Sequence, residues 1–397
     1  MPLTRIESLD LLRGIAVLGI LLLNINSFAL PLAAYSNPMA YGGYEGADLQ
    51  TWYWVHIFAE AKFFTLFSIL FGAGICLFFE RAEAKELAAT HLHFRRMIWL
   101  LVFGMIHAYA IWYGDILVAY AVCGLWAYRN RHSTPLSLIV WSIAFLLLGC
   151  LMAIFTGLGL AHLSESELIE LQHFWLPSAD SVEIELAAMR GSWIDQMPMR
   201  AETALMFQTS MLVLSTFWRT LALMYLGIML YRLGFLALSW NTRSYLLCAV
   251  ISGVVGFTLI TIGANAHISH EFSFEYSMGV GTLYNYFGSV LVAICYAALT
   301  MLWAQSGRFE WLQKNLRAVG RTAFTNYIAQ SIVCTSIFYG HGLGWFGTLS
   351  RAELLVVVVL VWILQLSWSK WWLSHYPQGP LENVWRRLTY SNHAQLF

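Results

Sequence analysis

The chain has 397 residues, of which 59% are hydrophobic, 16% aromatic and only 11% charged, and its mean hydropathy is +0.63. Soluble domains carry about 25% charged residues, so this composition excludes an ordinary soluble protein and predicts an all-α protein that crosses a membrane several times. The formal net charge is zero, which argues against a nucleic-acid partner. The six cysteines lie scattered through apolar segments, so we expect neither a disulfide framework nor a metal site.

Apolar stretches of spanning length predict about ten transmembrane helices within one integral membrane domain, residues 1–397. Their approximate bounds are 11–31, 54–79, 97–113, 115–128, 136–161, 207–231, 244–266, 281–304, 320–340 and 352–373. The longest connection, 162–205 between the fifth and sixth predicted helices, is acidic. We expect it to be an external loop that holds a short amphipathic helix.

The distribution of basic residues predicts the orientation in the membrane. The loop after the second predicted helix carries Arg81, Lys85, Arg95 and Arg96, whereas the loops 32–53 and 267–280 carry no Lys or Arg. Lys and Arg accumulate in cytoplasmic loops of membrane proteins. Both termini are therefore predicted to be cytoplasmic.

The third and fourth predicted helices are short. From Arg96 to Tyr113 the rise is roughly 26 Å, and from Asp115 to Tyr128 it is roughly 20 Å, both below the ~30 Å of the hydrocarbon core. The turn that joins them, 113–115, is thus expected to lie beneath the outer surface. Irregular backbone at such depth requires protein or a water-filled cavity around it, so we predict an external vestibule there.

Polar residues in the first predicted helix raise a question of function. Arg13 and Asn24 are eleven residues apart, so they share one helix face and lie roughly 16 Å apart along the axis. Asn24 and Asn26 are candidates either for hydrogen bonds between helices or for the lining of a path. Arg13 lies near the cytoplasmic end, where anchoring or pairing with Asp10 is the favoured role.

The second predicted helix carries three ionisable groups, which are functional candidates because ionisable groups inside a membrane are costly. His56 and Glu60 are spaced i,i+4 and can touch, whereas Glu60 and Lys62 cannot face each other. A structural bridge between Lys62 and a carboxylate of another helix explains that lysine almost as well as a path-lining site does.

His107 is the leading candidate for a general base, since it is expected near the membrane midplane, one or two turns beneath Asp115. Asp115 is expected to cap the following helix, and this role is compatible with orienting His107. Arg219, in the middle of the sixth predicted helix, needs either an anionic residue or an anionic ligand in a path; of the two, a fixed ion pair is favoured.

The ninth predicted helix is rich in hydroxyl and amide groups. Its Asn326 and Gln330 are candidates for lining a path, although close packing of small residues explains the same composition. No nucleophile elbow, Walker loop or HExxH pattern occurs, and we predict no metal.

Several segments together resemble the YeiB family of bacterial inner-membrane proteins. They are LDLLRGIAVLGILLLNI (9–25), KFFTLFSILFGAGI (62–75), GMIHAYAIWYGDILVAYAVCGL (104–125), GRTAFTNYIAQSIVCTSIFYG (320–340) and GPLENVWRRLTY (379–390). The resemblance spans nearly the whole chain in order and implies a multi-pass protein of the bacterial inner membrane.

The family is in turn similar to the transmembrane acyltransferase superfamily, which includes the lysosomal heparan-α-glucosaminide N-acetyltransferase. That enzyme opens with an Asp-x-x-Arg-Gly helix and an Asn eleven residues past the Arg, and Arg13 and Asn24 occupy the matching positions. Its catalytic His precedes an Ala-Asp-Leu motif near the second helix, where this chain has Lys62 in place of the Asp and no matching His. The departure implies either that His107 has become the base or that acyl transfer has been lost.

The resemblance implies an acyltransferase that uses acetyl-CoA or another acyl-CoA from the cytoplasm. Its phosphates would bind Arg13, Arg95, Arg96 and Arg321, and His107, Asp115 and Asn24 would act as base, orienting group and oxyanion donor. The acceptor would be a small molecule or glycan, and a homodimer is compatible with the resemblance. A transporter or exporter of a small polar metabolite, or a non-catalytic sensor or assembly partner, are the alternatives.

Overall fold

The computed structural model describes residues 5–391, and within that range the chain is all-α, without a β-strand. The helices are α1 (Glu7–Ala29), α2 (Gly46–Phe58), α3 (Lys62–Glu83), α4 (Ala89–Ile106), α5 (Leu117–Ala127), α6 (Pro135–Gly159), α7 (Glu165–Trp175), α8 (Ala179–Arg190), α9 (Met197–Met206), α10 (Phe217–Arg232), α11 (Thr242–Ser269), α12 (Phe274–Tyr276), α13 (Thr282–Ser306), α14 (Glu310–Arg321), α15 (Ala323–Phe338), α16 (Arg351–His375) and α17 (Pro380–Tyr390). Segments of π-helix follow α4, α9 and α12, and the segment after α12 is kinked at Gly279.

Eight helical segments of the described residues are long and apolar enough to cross a membrane, which confirms the polytopic helical class. They are Glu7–Ala29, Gly46–Glu83, Ala89–Ile111, Pro135–Gly159, Met197–Arg232, Thr242–Ser269, Phe274–Ser306 and Arg351–His375. The other two predicted spans correspond to α5 and α15, with 11 and 16 residues. These helices rise roughly 17 and 24 Å, less than the hydrocarbon thickness of ~30 Å.

The second predicted helix, 54–79, is interrupted in the structure. α2 begins at Gly46, inside the predicted loop 32–53, and ends at Phe58, and α3 starts at Lys62. Between them Ala61 adopts a left-handed conformation with φ of 63°, and these dihedral angles cannot continue a right-handed helix. The conformation also costs free energy for a residue with a Cβ. The side chains of His56, Glu60 and Lys62 are therefore grouped around a helix break.

The predicted external loop 162–205 contains more helix than expected. α7 begins with a reciprocal capping box between Ser164 and Glu167, and α8 begins with a cap from Ser178. α9 starts at Met197 and runs on into the next span. The prediction of one short helix here is corrected to two complete helices and the start of a third, because each has its own capping residue or an N-terminal proline.

One carboxyl group in this region gives a testable pH dependence. Glu185 on α8 accepts a hydrogen bond of 2.8 Å from the amide of Leu32, and burial raises the pKa of Glu185 from 4.5 to about 7. The pKa of Glu185 is therefore higher in the folded than in the unfolded protein. The protonated carboxyl stabilises the fold relative to the ionised one, so this stabilisation is present below pH ~4.5 and is lost as the pH rises through ~7. We expect the wild type to lose about 2 kcal/mol relative to Glu185→Gln between pH 5 and pH 8, as measured by thermal unfolding in detergent.

The matched control for this measurement is Glu183→Gln, since Glu183 lies on the same helix and is exposed. The control variant should retain the pH dependence of the wild type. Parallel unfolding curves for wild type and Glu185→Gln across this pH range would contradict the assignment.

α3 and α10 cross with their backbones in close contact. A Cβ built on Gly72 would lie 2.0 Å from the carbonyl oxygen of Met224, and a Cβ on Gly227 would lie 1.9 Å from that of Ile69. The two backbones thus meet through reciprocal glycines, an arrangement that membrane helices use to approach closely. This crossing fixes α3, which lines the cavity described below.

Gly227→Ala is expected to destabilise the protein by about 2 kcal/mol or more, because the added methyl group collides with rigid backbone. Gly74→Ala, in the same bundle, is the control, since nothing lies within 4 Å of its added Cβ. Thermal unfolding in detergent should show a lower midpoint for Gly227→Ala and an unchanged or higher midpoint for Gly74→Ala. Equal midpoints for the two variants would show that the crossing is looser than described.

Candidate functional site

A buried chain of hydrogen bonds connects α4, α5 and α15. His107 Nδ1 is 2.8 Å from Asp115 Oδ1, and His107 Nε2 is 2.8 Å from Ser331 Oγ. The side chains of all three residues are 1% exposed. An ionised carboxylate can only accept, so Nδ1 of the neutral imidazole carries the proton and Nε2 accepts from the Ser331 hydroxyl.

Local structure explains how Asp115 reaches the imidazole. α4 ends at Ile106 and continues as a π-helical segment from His107 to Ile111, after which the chain turns into α5. Asp115 Oδ2 accepts a 2.8 Å hydrogen bond from the amide of Val118 in the first turn of α5. Gly104 allows this turn to approach α4, since a Cβ there would lie 3.0 Å from Asp115 Oδ2. The predicted double role of Asp115, as cap and as partner of His107, is thus present in the contacts.

A cavity of about 280 Å³ lies between α1, α3, α4, α5 and α15. At one end, here called the arginine end, it is lined by Arg13, Arg96, Arg321, Glu382 and Trp385. Apolar side chains follow, and the opposite, deep end is lined by Ile116, Leu117, Tyr120 and Tyr327.

α4, α15 and α1 each run from the cavity towards the buried hydrogen-bond chain. On α4 the lining residues are Arg96 and Leu100, and His107 is two turns further on. On α15 Tyr327 lines the deep end and Ser331 is one turn beyond it on the same face. The imidazole of His107 and the ring of Tyr327 have centroids 5.1 Å apart. The cavity therefore ends one aromatic side chain away from the His107 cluster.

On α1, Asn24 likewise lies one turn beyond a residue that lines the cavity. Ile20 lines the cavity and Asn24 follows it by one turn, within about 40° on the helix surface. Its side chain is half-buried, lines neither of the two cavities described here, and has no hydrogen-bond partner among residues 5–391. The structure therefore leaves this amide available, one turn past the cavity lining.

The arginine end is electropositive. Arg96 lies over the ring of Trp385, with its guanidinium carbon 4.5 Å from the centroid, and Arg321 donates to the carbonyl of Pro377. Burial, and then the charge of Arg5, lower the pKa of Arg321. Neither Arg96 nor Arg321 forms an ion pair within the described part of the chain, whereas Arg13 is 3.1 Å from Asp10, as predicted.

The carboxylate at this end already has partners. Glu382 Oε1 accepts from the amides of Phe324 and Thr325 at 2.8 and 3.1 Å, and Oε2 accepts from the Thr325 hydroxyl at 2.6 Å. It thereby caps the N-terminus of α15, where a negative charge is stabilised by the helix dipole. Burial raises the pKa of Glu382 above its ordinary value. Both carboxylate oxygens of Glu382 thus contact α15 and not the arginines of the cavity. Arg96 and Arg321 therefore remain available to an anionic ligand.

Arg95 is not part of the cavity, in contrast to the prediction that groups it with Arg96. Its guanidinium donates to the carbonyl of Leu388 at 2.9 Å and to the hydroxyl of Ser391. Neighbours on a helix point about 100° apart, so Arg96 faces the cavity while Arg95 fastens α17.

Asn26, His56 and Glu60 meet at a separate, much smaller cavity. They line about 10 Å³ of space, roughly that of one water molecule. His56 Nδ1 is 2.6 Å from Glu60 Oε2, so the predicted i,i+4 contact is present, and Arg351 donates to Asn26 Oδ1 at 3.4 Å. Asn26, a predicted path-lining candidate, and the functional candidates His56 and Glu60 thus line only this small cavity, which has no lining residue in common with the larger one.

Lys62 and Arg219 are satisfied by neutral oxygens. Lys62 donates to Asn285 Oδ1 at 2.8 Å and to the carbonyl of His56, and Arg219 donates to the carbonyl of Tyr286 at 2.8 Å and to Ser289 Oγ at 2.7 Å. Neither has an ion-pair partner in the described range. The fixed ion pair predicted for Arg219 and the carboxylate bridge considered for Lys62 are therefore wrong, since neutral oxygens of α13, and for Lys62 also a carbonyl of α2, are their acceptors.

Asn326 and Gln330 fasten helices together and line neither cavity. Asn326 donates to Ser369 Oγ at 2.8 Å, and Gln330 donates to Gln365 Oε1 and to the carbonyl of Val17, both at 2.9 Å. The path-lining prediction is corrected, and the alternative of interhelical hydrogen bonding holds for both.

Sequence reasoning missed Ser331, Glu382 and Tyr327 as site residues. Ser331 lies 224 residues from His107 along the chain, so no local pattern joins them. The one available signal was the i,i+4 spacing of Tyr327 and Ser331 on a helix with few charges.

Fold and site together define a polytopic helical membrane protein with an arginine-lined internal cavity that ends beside a buried Asp–His–Ser chain. The chain is 32% identical over 390 residues to the uncharacterized protein YeiB of Escherichia coli (strain K12), which covers 97% of this chain and 96% of YeiB. It is 30% identical to the uncharacterized protein YxaH of Bacillus subtilis (strain 168), with 97% and 94% of the two chains covered. The chain therefore belongs to the YeiB family.

Two further comparisons agree with this membership. Residues 230–392 match the family described as a protein of unknown function (DUF418). An uncharacterized 39.9 kDa protein encoded in the amylase 3′ region of Bacillus acidopullulyticus is 27% identical, with 98% of this chain and 94% of that protein covered. No solved structure matches.

Proposed function

We propose that this protein is a transmembrane acyltransferase, which moves an acyl group from a coenzyme A thioester to the hydroxyl or amine of a second substrate. The observation that supports the proposal is the cavity, which has three arginines at one end and the His107 cluster one side chain beyond the other. A thioester of coenzyme A has the matching polarity, with phosphates at one end and the reacting carbonyl at the other.

The dimensions and charge of the cavity suit a thin, partly apolar chain. Its volume of about 280 Å³ is at the lower end of the ~300–1,000 Å³ found for small-molecule sites. This space suits an acyl-pantetheine arm, with the nucleotide remaining outside. Arg13, Arg96 and Arg321 supply charge-assisted hydrogen bonds to phosphate, which are about twice as strong as neutral ones.

The chemistry assigned to the cluster is general-base catalysis. Nε2 of His107 has an available lone pair because Asp115 holds the proton on Nδ1. The imidazole takes the proton of the attacking group, Asp115 stabilises the imidazolium, and the unpartnered amide of Asn24 donates to the oxyanion of the tetrahedral intermediate.

The orientation follows from the basic loops. The positive-inside rule assigns the arginine end to the cytoplasm, where acyl-CoA is made, and the α4–α5 turn to the opposite side. The acceptor, a small molecule or glycan, then approaches from the periplasmic side or from within the bilayer of a bacterial inner membrane.

Two neighbouring arginines provide a matched binding test. Purified protein is titrated calorimetrically with acetyl-CoA, and Arg96→Gln is compared with Arg95→Gln, which removes the same charge from the same helix. We expect Arg96→Gln to weaken binding about tenfold, the loss of one charge-assisted contact, and Arg95→Gln to bind within about twofold of the wild type.

Failure to bind acetyl-CoA at millimolar concentration would overturn the proposal. Equal effects of the two substitutions would show that binding depends on surface charge and not on the cavity. Uptake of a polar metabolite by vesicles containing the protein, in the absence of acetyl-CoA binding, would favour a transporter instead.

A further inference from the structure

The side chain of Ser331 points to a neighbouring helix and not to the backbone of its own helix. Helical Ser and Thr usually donate to the carbonyl four residues earlier, as Ser68, Ser252 and Ser289 do here. The contact of Ser331 is instead with Nε2 of His107, at 2.8 Å. This hydroxyl is therefore placed for proton transfer to the imidazole.

The arrangement of the three groups is that of an activated serine nucleophile. A serine hydroxyl is a weak nucleophile until a base within hydrogen-bond distance takes its proton and a third group orients that base. His107 and Asp115 fill these two roles at distances of 2.8 Å each. The orientation of the imidazole is fixed, because Asp115 is itself held by the amide of Val118.

An unpartnered donor lies beside the cluster. Trp112 is 2% exposed, its ring centroid is 6.0 Å from that of His107, and its Nε1–H has no hydrogen-bond partner. Buried donors are normally paired, so an unpaired one calls for an explanation, and a catalytic role is one such explanation. The indole is thus available to a negatively charged oxygen formed near Ser331.

We propose that Ser331 is a covalent acyl carrier, so that transfer proceeds in two half-reactions. This proposal rests on the proposed function and specifies its mechanism. In the first half-reaction Ser331 Oγ attacks the thioester carbonyl and its proton moves to His107 Nε2. The C–S bond then breaks, the proton passes to the leaving thiolate, and an ester on Ser331 remains.

The second half-reaction reverses these roles. His107 Nε2 takes a proton from the acceptor hydroxyl or amine, which attacks the ester carbonyl. The bond between that carbon and Ser331 Oγ breaks, and the proton returns to the serine oxygen. A covalent carrier separates the two substrates in time, which suits a donor and an acceptor that arrive from opposite sides of a membrane.

Tyr327 separates the cavity from Ser331, and its position is weakly held. Its hydroxyl accepts from the amide of Ile116 at 3.3 Å and donates to the carbonyl of Gly114 at 3.4 Å, both long for hydrogen bonds. In the proposed mechanism, rotation of this one side chain opens the deep end to the serine.

Acyl exchange tests the carrier without knowledge of the acceptor. The full-length protein is incubated with acetyl-CoA and isotopically labelled free CoA, and label appearing in acetyl-CoA is followed by chromatography. An acyl-enzyme catalyses this exchange, whereas direct transfer between two bound substrates does not. We expect exchange by the wild type, and loss of at least about a thousandfold in Ser331→Ala and His107→Ala.

Ser336→Ala is the matched control, because Ser336 is on the same helix and donates to the carbonyl of Ile332. It should exchange at the wild-type rate. Acid-quenched wild-type protein should carry one acetyl group on the peptide that contains Ser331, and Ser331→Cys should carry it as a hydroxylamine-sensitive thioester.

The outcomes separate this inference from the proposed function. Acetyl-CoA that binds to the wild type without any exchange or acylated peptide would overturn the carrier and leave direct acyl transfer in place. Exchange that persists in Ser331→Ala would also overturn it. Absence of acetyl-CoA binding would overturn both proposals together.

Discussion

Gly74→Phe is expected to weaken acetyl-CoA binding by about tenfold or more while the helical fold is retained. Gly74 lines the cavity on α3, and no atom lies within 4 Å of a Cβ built on it. A larger side chain therefore grows into open space and not into backbone. Phe67 and Phe71 occupy the same face of α3, so a third aromatic ring would fill much of the 280 Å³.

Gly159→Phe is the control for this substitution. Gly159 is the last residue of α6, also has no atom within 4 Å of its built Cβ, and does not line the cavity. We expect wild-type calorimetric binding in Gly159→Phe and unchanged helical content in both variants. Wild-type affinity in a folded Gly74→Phe protein would show that the ligand does not enter this cavity.

The membrane class could be predicted from the sequence because it depends on composition and on the length of apolar runs. The same arithmetic indicated that the helix around 115–128 would be short, and α5 has 11 residues. The break between α2 and α3 could not be predicted in this way. It falls at Ala61, without a Gly or Pro to mark it, and is accompanied by bonds from Lys62 to α13 and to the end of α2.

In the candidate site, too, contacts between residues close in sequence were predictable, whereas contacts between distant residues were not. His107 and Asp115 are eight residues apart, so their contact was predictable from helix geometry and from the capping preference of Asp. The partners of Asn326 and Gln330 are 43 and 35 residues away on α16, and without them these amides were interpreted as path-lining. A polar residue in a buried helix requires a hydrogen-bond partner, but the neighbouring sequence does not show whether that partner is another helix or a ligand.

The arginine end illustrates the same limit for charge. Arg95 and Arg96 are adjacent and chemically identical, yet only Arg96 lines the cavity. Both contact α17, but Arg95 donates to the carbonyl of Leu388, whereas Arg96 packs over Trp385 at the cavity. α17 lies almost 300 residues further along the chain, so no local pattern distinguishes the two arginines. The basic residues of the loops predict which side of the membrane this end faces, whereas helix packing determines which of the two arginines lines the cavity.

Asp115→Asn is expected to reduce acyl exchange by about 10³–10⁴-fold with little change in stability. Asparagine still offers a carbonyl oxygen to the Val118 amide, so the cap of α5 is retained. Its amide group then donates where Asp115 Oδ1 accepted, which forces the proton of the imidazole onto Nε2. In that tautomer His107 has no lone pair for the Ser331 hydroxyl and cannot act as the base.

Asp115→Ala completes the comparison because it removes both contacts. It should lose exchange as Asp115→Asn does and, in addition, about 1 kcal/mol of unfolding free energy from the lost cap. Exchange rates and thermal midpoints measured on the same preparations separate the two roles. If Asp115→Asn exchanged at the wild-type rate, the carboxylate would be a cap only, and the orientation of His107 would have to come from Ser331 alone. The two oxygens of Asp115 contact different partners, Oδ1 the imidazole and Oδ2 the helix amide, so Asp115→Asn removes only the first role and Asp115→Ala removes both.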